Sequence, residues 1–473
     1  MLKYLHKIHT NNTTDLHLFY TNDIIGVGDN MKRKIYSELI DWKNSNSKQS
    51  LLIKGSRQVG KTYIIKEFGK NEFSNLLYIN FENQKDLLSS FGNAKNPDEA
   101  IALLKTYGIS KSIFDINKIQ TLIFLDEIQL CKRMYSLLKP LSELDEFRII
   151  VSGSLLGLNI GGDYLDPGPI VKHITMHPMD FEEFLWSRLG KGIKTTLKQI
   201  RLRILNGDLM DSSMHILLNK HIKEYIIIGG MPQVVQTFIT NLDYGQAFIV
   251  QSSIINLYKN DIQQYQKSND LKVKTQQCFE AIPLQFAKDN HKFQYMVALK
   301  GGNARHFSSS IDWLEKTGNV NKCYIVDHLR GSLVNGKGNS FKLFMNDIGL
   351  LVNLLGKEYV HRIQQNELGL FKGALYEQLI SQMLISKEEL LYYVTPGSYE
   401  IDFLLERNGK IYPLECKSGG NTKSQSLKNY IKIYKPIKAY KISLNNINTS
   451  NKVMKAIPHY AFALISIDEL LML

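Results

Sequence analysis

The most regular pattern in the chain is a set of four short apolar runs in its first 180 residues. They lie at 50–54, 76–80, 121–125 and 148–151, and stretches with the apolar spacing of helices separate them. Strands buried on both faces of a parallel sheet are almost continuously apolar, whereas strands with one wet face alternate. The runs therefore predict the central parallel strands of an α/β open sheet.

The rest of the chain falls into three regions that differ in pattern. From 181 the apolar spacing is helical, with a Gly-Gly-Met-Pro break at 229–232. From 266 short helices precede two strand-like runs, which is the order of a winged-helix-like unit. From 359 a helix, a hairpin and further α/β segments follow. We therefore expect four domains, at 25–180, 181–265, 266–358 and 359–473.

The segment that follows the first apolar run matches the phosphate-loop pattern GxxxxGK[ST]. Glycines let backbone N–H groups close around phosphate oxygens, and the start of the next helix adds its positive dipole end. We expect Lys61 to reach the β- and γ-phosphates of ATP, and the Thr62 hydroxyl to bind Mg²⁺. The alternative is a Gly-rich turn before an ordinary helix. The residues assigned to the nucleotide are Gly55, Ser56, Arg57, Gln58, Val59, Gly60, Lys61 and Thr62.

Polar residues follow two later apolar runs of the predicted sheet. Asp126 and Glu127 end the run at 121–125, and Ser152 follows the run at 148–151. We expect Asp126 to hold Mg²⁺ through water and Glu127 to polarise the water that attacks the γ-phosphate. Ser152 is a candidate sensor of that phosphate or water. The alternatives are a solvated strand end for the two acids and a simple serine turn for Ser152.

An Asn-Gly pair at 408–409 is a strong signal for a two-residue hairpin turn. With this pair as the whole loop, Asp402 lies opposite Glu415, and Glu400 lies opposite Lys417. All four side chains then share one face. Facing carboxylates repel, so a divalent cation between them would stabilise the pair. The alternative is a solvated hairpin face with an ordinary Glu400–Lys417 ion pair.

Further motifs follow the phosphate loop along the chain. They are FLDEIQ at 124–129, VSGS at 151–154, PMDFEEF at 178–184, GGMP at 229–232, WLE at 313–315, FKLF at 341–344, DIGLL at 347–351 and GALYE at 373–377. Together with the loop, these motifs resemble those of a large family of prokaryotic AAA-type ATPases with a C-terminal domain of uncharacterised function. The resemblance extends from about Met31 to Leu444.

This resemblance implies an AAA+ core, a helical lid, a winged-helix-like middle and a nuclease-like end. In the PD-(D/E)xK arrangement, Asp402 would be the first acid, and Glu415 and Lys417 would form the ExK part. Glu377, on the preceding helix, resembles the additional acid of that fold. An arginine that completes the charge around the γ-phosphate is not marked by any motif. The candidates for it are Arg57, Arg133, Arg148 and Arg201.

Charge and cysteine content narrow the choice of partner and compartment. The chain has 58 basic and 45 acidic residues, a net charge of +13, which favours a polyanion such as DNA or reflects a general lysine bias. The four cysteines are far apart and contain no CxxC pair, as is typical of a reducing compartment. We find no signal peptide and no apolar run long enough to span a membrane, so we expect a cytoplasmic protein.

Two functions are compatible with these patterns. The first is an ATPase that uses Mg²⁺ and couples ATP hydrolysis to a nuclease-like, DNA-directed C-terminal domain. The second is a nucleotide-dependent regulatory switch whose C-terminal domain is a non-catalytic docking module for DNA or a partner protein. Both require ATP at the phosphate loop, and neither determines an oligomeric state.

Overall fold

The computed structural model describes most of the chain. Within the described ranges, no helix is long and apolar enough to cross a membrane. The start of the first expected domain, 25–30, lies outside them. The described residues are 31–45, 47–154, 171–190, 192–286, 292–326, 332–334, 337–369, 371–419 and 424–473.

Five parallel strands form an open sheet in the order β2-β3-β4-β1-β5. Four of them correspond to the predicted apolar runs, and β5 is an additional edge strand. The carboxyl ends of parallel strands meet at one edge of a sheet. The residues that follow β1, β3 and β4 therefore lie side by side at that edge. The strands are β1 (Ser50–Lys54), β2 (Asn75–Asn80), β3 (Thr121–Asp126), β4 (Arg148–Gly153) and β5 (Val171–Thr175).

Both faces of this sheet are buried, which explains why the runs are apolar throughout. Ile53 and Phe124 belong to one hydrophobic cluster, whereas their neighbours Leu52 and Leu125 belong to a second cluster on the opposite face. Successive strand residues point to opposite faces, so each face needs its own apolar set. The surrounding helices are α1 (Ile35–Asn44), α2 (Lys61–Glu72), α3 (Lys85–Gly92), α4 (Pro97–Ser110) and α5 (Lys132–Glu143), with a 3-10 turn at Ile128–Leu130.

A run of five helices follows the sheet, as the helical spacing predicts. Asp180 caps the first of them, because its side chain accepts from the N–H of Glu183 while the Glu183 carboxylate accepts from the N–H of Asp180. At the Gly-Gly break, a Cβ on Gly230 would lie 2.0 Å from the Met179 carbonyl oxygen, so the close approach requires glycine. The helices are α6 (Phe181–Leu189), α7 (Ile193–Leu205), α8 (Ser212–Ile228), α9 (Pro232–Asn241) and α10 (Tyr244–Tyr265).

The next segment consists of helices and an antiparallel strand pair. α11 (Asn269–Gln285), α12 (Tyr295–Ala298) and α13 (Ala304–Lys316) precede the pair of β6 (Val320–Val326) and β7 (Lys337–Met345). β6 also pairs in parallel with β8 (Leu391–Tyr393), which lies beyond the expected boundary at 358. The third expected domain is therefore joined to the fourth by main-chain hydrogen bonds. Two helices, α14 (Ile348–Leu355) and α15 (Glu358–Gln365), connect them.

A mixed four-stranded sheet, ordered β12-β11-β10-β9, forms the C-terminal part. The hairpin register is confirmed, since Lys410 pairs with Arg407 and Leu414 pairs with Phe403. Asn408 and Gly409 have φ angles of 53° and 69°, as this tight turn requires. The elements are α16 (Phe371–Ile385), β9 (Phe403–Arg407), β10 (Lys410–Cys416), α17 (Gln425–Tyr434), β11 (Ala439–Ser443), β12 (Met454–Pro458), α18 (His459–Leu464) and α19 (Ile467–Met472).

One hydrophobic cluster runs through all four expected domains. It contains Ile53 of the parallel sheet, Tyr225 of α8, Phe344 of β7 and Leu414 of β10. A hydrogen bond also joins the second expected domain to the fourth, because Arg201 Nε of α7 donates to the Leu464 carbonyl at 2.8 Å. The parts of the chain therefore share a continuous apolar core, so a displacement in one part is felt by its neighbours.

Candidate functional site

The phosphate loop joins β1 to α2 and has its lysine folded back into it. Lys61 Nζ donates to the carbonyl oxygens of Gly55 and Ser56, at 2.8 Å each. Two loop residues adopt the left-handed conformation, Gln58 with φ 68° and Gly60 with φ 93°. Burial lowers the pKa of Lys61 to about 8, although the nearby carboxylates of Glu127 and Asp126 oppose this change. Phosphate oxygens in the loop would strengthen the charged form.

Asp126 accepts hydrogen bonds from side chains of several elements at this edge of the sheet. Its Oδ2 accepts from the Thr62 hydroxyl at 2.9 Å, and its Oδ1 accepts from the Ser152 hydroxyl. Tyr78 OH and Asn80 Nδ2, both from β2, donate to Oδ2 at 3.1 and 3.2 Å. The structure thus brings Thr62, Asp126 and Ser152 together. Tyr78 and Asn80 are additional members, and only Asn80, a polar residue at the end of an apolar run, has a recognisable sequence signal.

Glu127 lies beside this group in a left-handed conformation, with φ 54°. Its Oε2 accepts from Gln129 Nε2 and, at 3.4 Å, from the Ser154 hydroxyl. Its backbone N–H donates to Asp126 Oδ1 at 3.2 Å. These bonds hold the carboxylate at the edge where β3 and β4 end, on the side of the phosphate loop.

The phosphate loop is also held by residues that are distant from it in sequence. Asn346 Nδ2 donates to Ser56 Oγ and to the Tyr258 hydroxyl, both at 3.0 Å. Tyr258 OH donates to the Arg57 carbonyl at 3.3 Å. The Arg57 guanidinium forms an ion pair with Asp261, with 3.1 Å between Nε and Oδ2. No local pattern marks these partners, because α10 and the end of β7 reach the loop only through the tertiary fold.

A second charged group lies in the C-terminal part, where Glu377, Glu400 and Asp402 offer oxygens within 4.8 Å of one another. We call these three residues the carboxylate cluster. Lys342 of β7 enters it and pairs with Glu377 at 3.0 Å and with Glu400 at 2.5 Å. The Lys342 side chain is 1% exposed, yet its pKa lies well above the usual value, because the three carboxylates outweigh the effect of burial. The fold thus supplies its own cation to these acids.

The remaining hairpin residues are arranged differently from the expected facing pairs. Glu415 Oε1 lies 2.8 Å from Lys417 Nζ on the same strand, and Glu400 pairs with Lys342 instead of Lys417. Asp402 Oδ2 accepts from the Cys416 N–H at 2.6 Å. Burial, and then the charge of Glu377, raise the pKa of Asp402 to about 8. In the described part of the chain, the cation-compatible group of acids therefore includes Glu377 and Asp402, while Glu415 lies outside it.

Comparison with known proteins agrees with the first of these sites. Residues 47–185 match the family model of an AAA domain, which supports an AAA-type ATPase that binds ATP. Residues 219–360 and 372–462 match two domains of unknown function, DUF8612 and DUF4143. A Walker-type ATPase of Pyrococcus abyssi is similar at 17% identity and a TM-score of 0.41, over 69% of this chain and 96% of that one. No curated protein matches the chain.

Replacing Lys342 with methionine should expose the repulsion within the carboxylate cluster. The three acids would then face one another without a cation, and the free energy of unfolding at pH 8 should fall by about 3–5 kcal/mol. Millimolar Mn²⁺ should restore part of this stability in Lys342→Met but not in the unaltered protein. Thermal and denaturant unfolding with and without Mn²⁺ measure the effect.

The stability of the Lys342→Met variant should also depend on pH. The folded-state pKa of Asp402 is about 8, above its unfolded value near 4, so the folded protein holds an extra proton between these limits. Stability should therefore rise as Lys342→Met is acidified from pH 8 to pH 5. Adding Glu400→Gln should weaken both responses. A variant that is as stable at pH 8 as the unaltered protein would contradict the role of Lys342.

Proposed function

We propose that this chain binds ATP with Mg²⁺ at the phosphate loop and hydrolyses it. The contact that carries this proposal is the bond between the Thr62 hydroxyl and Asp126 Oδ2, which places two oxygen ligands side by side at the mouth of the loop. Hydroxyl and carboxylate oxygens suit Mg²⁺, so Thr62 and Asp126 would hold it, directly or through water. The bound ion would neutralise charge on the β- and γ-phosphates.

The residues around the loop have distinct roles in the proposed reaction. Lys61 leaves the loop carbonyls to contact the β- and γ-phosphates. Glu127 accepts a proton from water as the water oxygen bonds to the γ-phosphorus and the bond from that phosphorus to the bridging oxygen of ADP breaks. The products are ADP and inorganic phosphate. Ser152, whose hydroxyl donates a hydrogen bond to Asp126, would connect loss of the γ-phosphate to β4.

Two substitutions should separate binding from hydrolysis. Lys61→Ala removes the phosphate-binding ammonium and should abolish measurable ATP binding. Glu127→Gln keeps the shape of the side chain but not its basicity, so ATP should still bind while phosphate release slows by about 100-fold or more. Nucleotide titration and a phosphate-release assay measure the two effects.

Arg133→Ala is a suitable control for these assays. Its Nε donates to the Ala94 carbonyl at 2.6 Å, away from the loop, so both nucleotide binding and hydrolysis should be retained. Unchanged ATP affinity in Lys61→Ala would refute the nucleotide site. Unchanged turnover in Glu127→Gln would remove Glu127 from the reaction and leave the binding site intact.

We further propose that the nucleotide state is passed to the C-terminal part through β7. Lys342 of this strand lies in the carboxylate cluster, and Asn346 follows the strand and bonds to Ser56 of the phosphate loop. Four residues of strand span about 13 Å. A shift of Ser56 on ATP binding is thus connected to Lys342 by one short piece of backbone. The four domains expected from the sequence would act as an ATPase, a lid, a connector and an effector.

Asn346→Ala should uncouple the two sites while leaving ATP bound. We expect ATP to change amide hydrogen exchange in β7 and around the carboxylate cluster of the unaltered protein, and this change to be lost in Asn346→Ala. Asn353→Ala is the matched control, because Asn353 also makes partly buried hydrogen bonds, with Phe248 and Ser252, that do not involve the loop. An ATP-induced change that survives in Asn346→Ala would contradict this route.

For the C-terminal part, we propose a nuclease-like fold that acts as a docking module in a nucleotide-dependent switch. The mixed sheet with its hairpin, Glu377 of α16 and the two acids just before β9 support the fold. Lys342 supports a docking role, because its ammonium already pairs with two of the acids that a catalytic metal would need. The net charge of +13 favours DNA as the partner. A partner protein is the alternative.

Cleavage of DNA is the second candidate function, since Glu377, Glu400 and Asp402 are close enough to share a metal once Lys342 withdraws. With ATP and Mn²⁺, we expect salt-sensitive retention of linear and circular DNA and no strand breaks. Gel retardation and a plasmid-nicking assay measure the two properties. Nicking that disappears in Asp402→Ala would establish the nuclease instead, and absence of any DNA binding would favour a protein partner.

A further inference from the structure

Arg57 extends from the phosphate loop across the edge of the sheet to α10. Its Nε lies 3.1 Å from Asp261 Oδ2, and its Nη2 lies 3.2 Å from the Tyr265 hydroxyl. Glu82, which follows β2, is 3.7 Å from the same Nη2. A residue of the phosphate loop is thus held by a helix more than 200 positions later in the chain and by an acid that follows a strand of the parallel sheet.

One of the carboxylates that act on Arg57 is Glu127, which belongs to the proposed reaction site. Burial opposes the charged guanidinium, but the carboxylates of Asp261, Glu127 and Glu82 raise its pKa on balance. Glu127 also acts on Asp261, whose pKa rises to about 6 because of burial in spite of the ion pair with Arg57. Asp261 is therefore a carboxylate that the site stabilises poorly. A partner with more negative charge would compete for the arginine.

The other three arginines considered from the sequence are engaged elsewhere. Arg148 Nη2 donates to the Ser45 carbonyl at 2.9 Å, and Arg201 Nε donates to Leu464. Arg133 is bound to the carbonyl of Ala94. The Arg57 guanidinium, by contrast, interacts electrostatically with Glu127.

We propose that Arg57 binds the γ-phosphate of ATP and that Asp261 is the partner it leaves when ATP enters. The proposal rests on the ATP site described above. A terminal phosphate carries more charge than one carboxylate and accepts two parallel hydrogen bonds from a guanidinium. ADP lacks this group, so Arg57 stays with Asp261. The ion pair between the loop and α10 then reports whether the γ-phosphate is present.

A comparison of ATP with ADP distinguishes this role from a merely structural one. An ion pair that only fastens the loop to α10 would affect both nucleotides equally. A contact with the γ-phosphate affects ATP alone. Arg57→Ala should therefore weaken ATP binding by about ten- to a hundredfold, as expected for a charged hydrogen bond, and should leave ADP affinity nearly unchanged. Arg57→Lys should recover part of the ATP affinity.

Asp261→Asn tests whether Asp261 pairs with Arg57 only when ATP is absent. Removing its charge frees Arg57, so ATP should bind as tightly as before or more tightly, and the preference for ATP over ADP should not fall. The measurements are dissociation constants for ADP and a slowly hydrolysed ATP analogue, with thermal unfolding to confirm that each variant is folded. Arg133→Ala is the control for loss of one arginine.

Three results would overturn the inference. They are an equal loss of ATP and ADP affinity in Arg57→Ala, no loss of either, and a loss of ATP affinity in Asp261→Asn that matches that of Arg57→Ala. Failure of the ATP site itself gives a different result, because the unaltered protein would then bind neither nucleotide. The two failures are therefore distinguishable in one set of titrations.

Discussion

A single buried carboxylate, Asp126, organises the edge of the sheet on which the nucleotide site depends. A buried charge is costly unless it is hydrogen-bonded, and this one accepts from α2, β2 and β4 through Thr62, Asn80 and Ser152. The same bonds that satisfy Asp126 set the phosphate loop against the ends of its neighbouring strands. The oxygens proposed to hold Mg²⁺ are thus positioned before any ligand arrives.

Buried charge is stabilised in different ways at the phosphate loop and in the carboxylate cluster. At the phosphate loop, Lys61 donates to two backbone carbonyls, and burial lowers its pKa in spite of the carboxylates nearby. In the carboxylate cluster, Lys342 has three acids around it, and its charge is strengthened. The first arrangement is suited to accepting phosphate. The second already contains a cation, and for this reason we propose that the C-terminal part binds a partner instead of cleaving DNA.

β7 connects the phosphate loop to the carboxylate cluster. Its residues pair with β6, which in turn pairs with β8 of the C-terminal part, so the strand cannot move alone. Gln378 of α16 binds both the N–H and the carbonyl of Met345, at 2.9 and 2.8 Å. The end of the strand is therefore fastened to the helix that carries Glu377. The proposed nucleotide-dependent movement of the loop would therefore have a short, packed path to the carboxylate cluster.

The sequence by itself determined the features that depend on neighbouring residues. Apolar runs indicated the parallel strands, the GxxxxGK[ST] segment indicated the loop, and Asn408–Gly409 indicated the hairpin and its register, because each of these patterns is set by local backbone geometry. Only the tertiary structure decided which charges meet. Lys342 lies 35 and 58 positions from its two acids, and Asn346 lies 290 from Ser56. Nothing in the local pattern of a strand indicates what lies across from it after folding, so strand pairing predicted Lys417 as the partner of Glu400, whereas the fold placed Lys342 there.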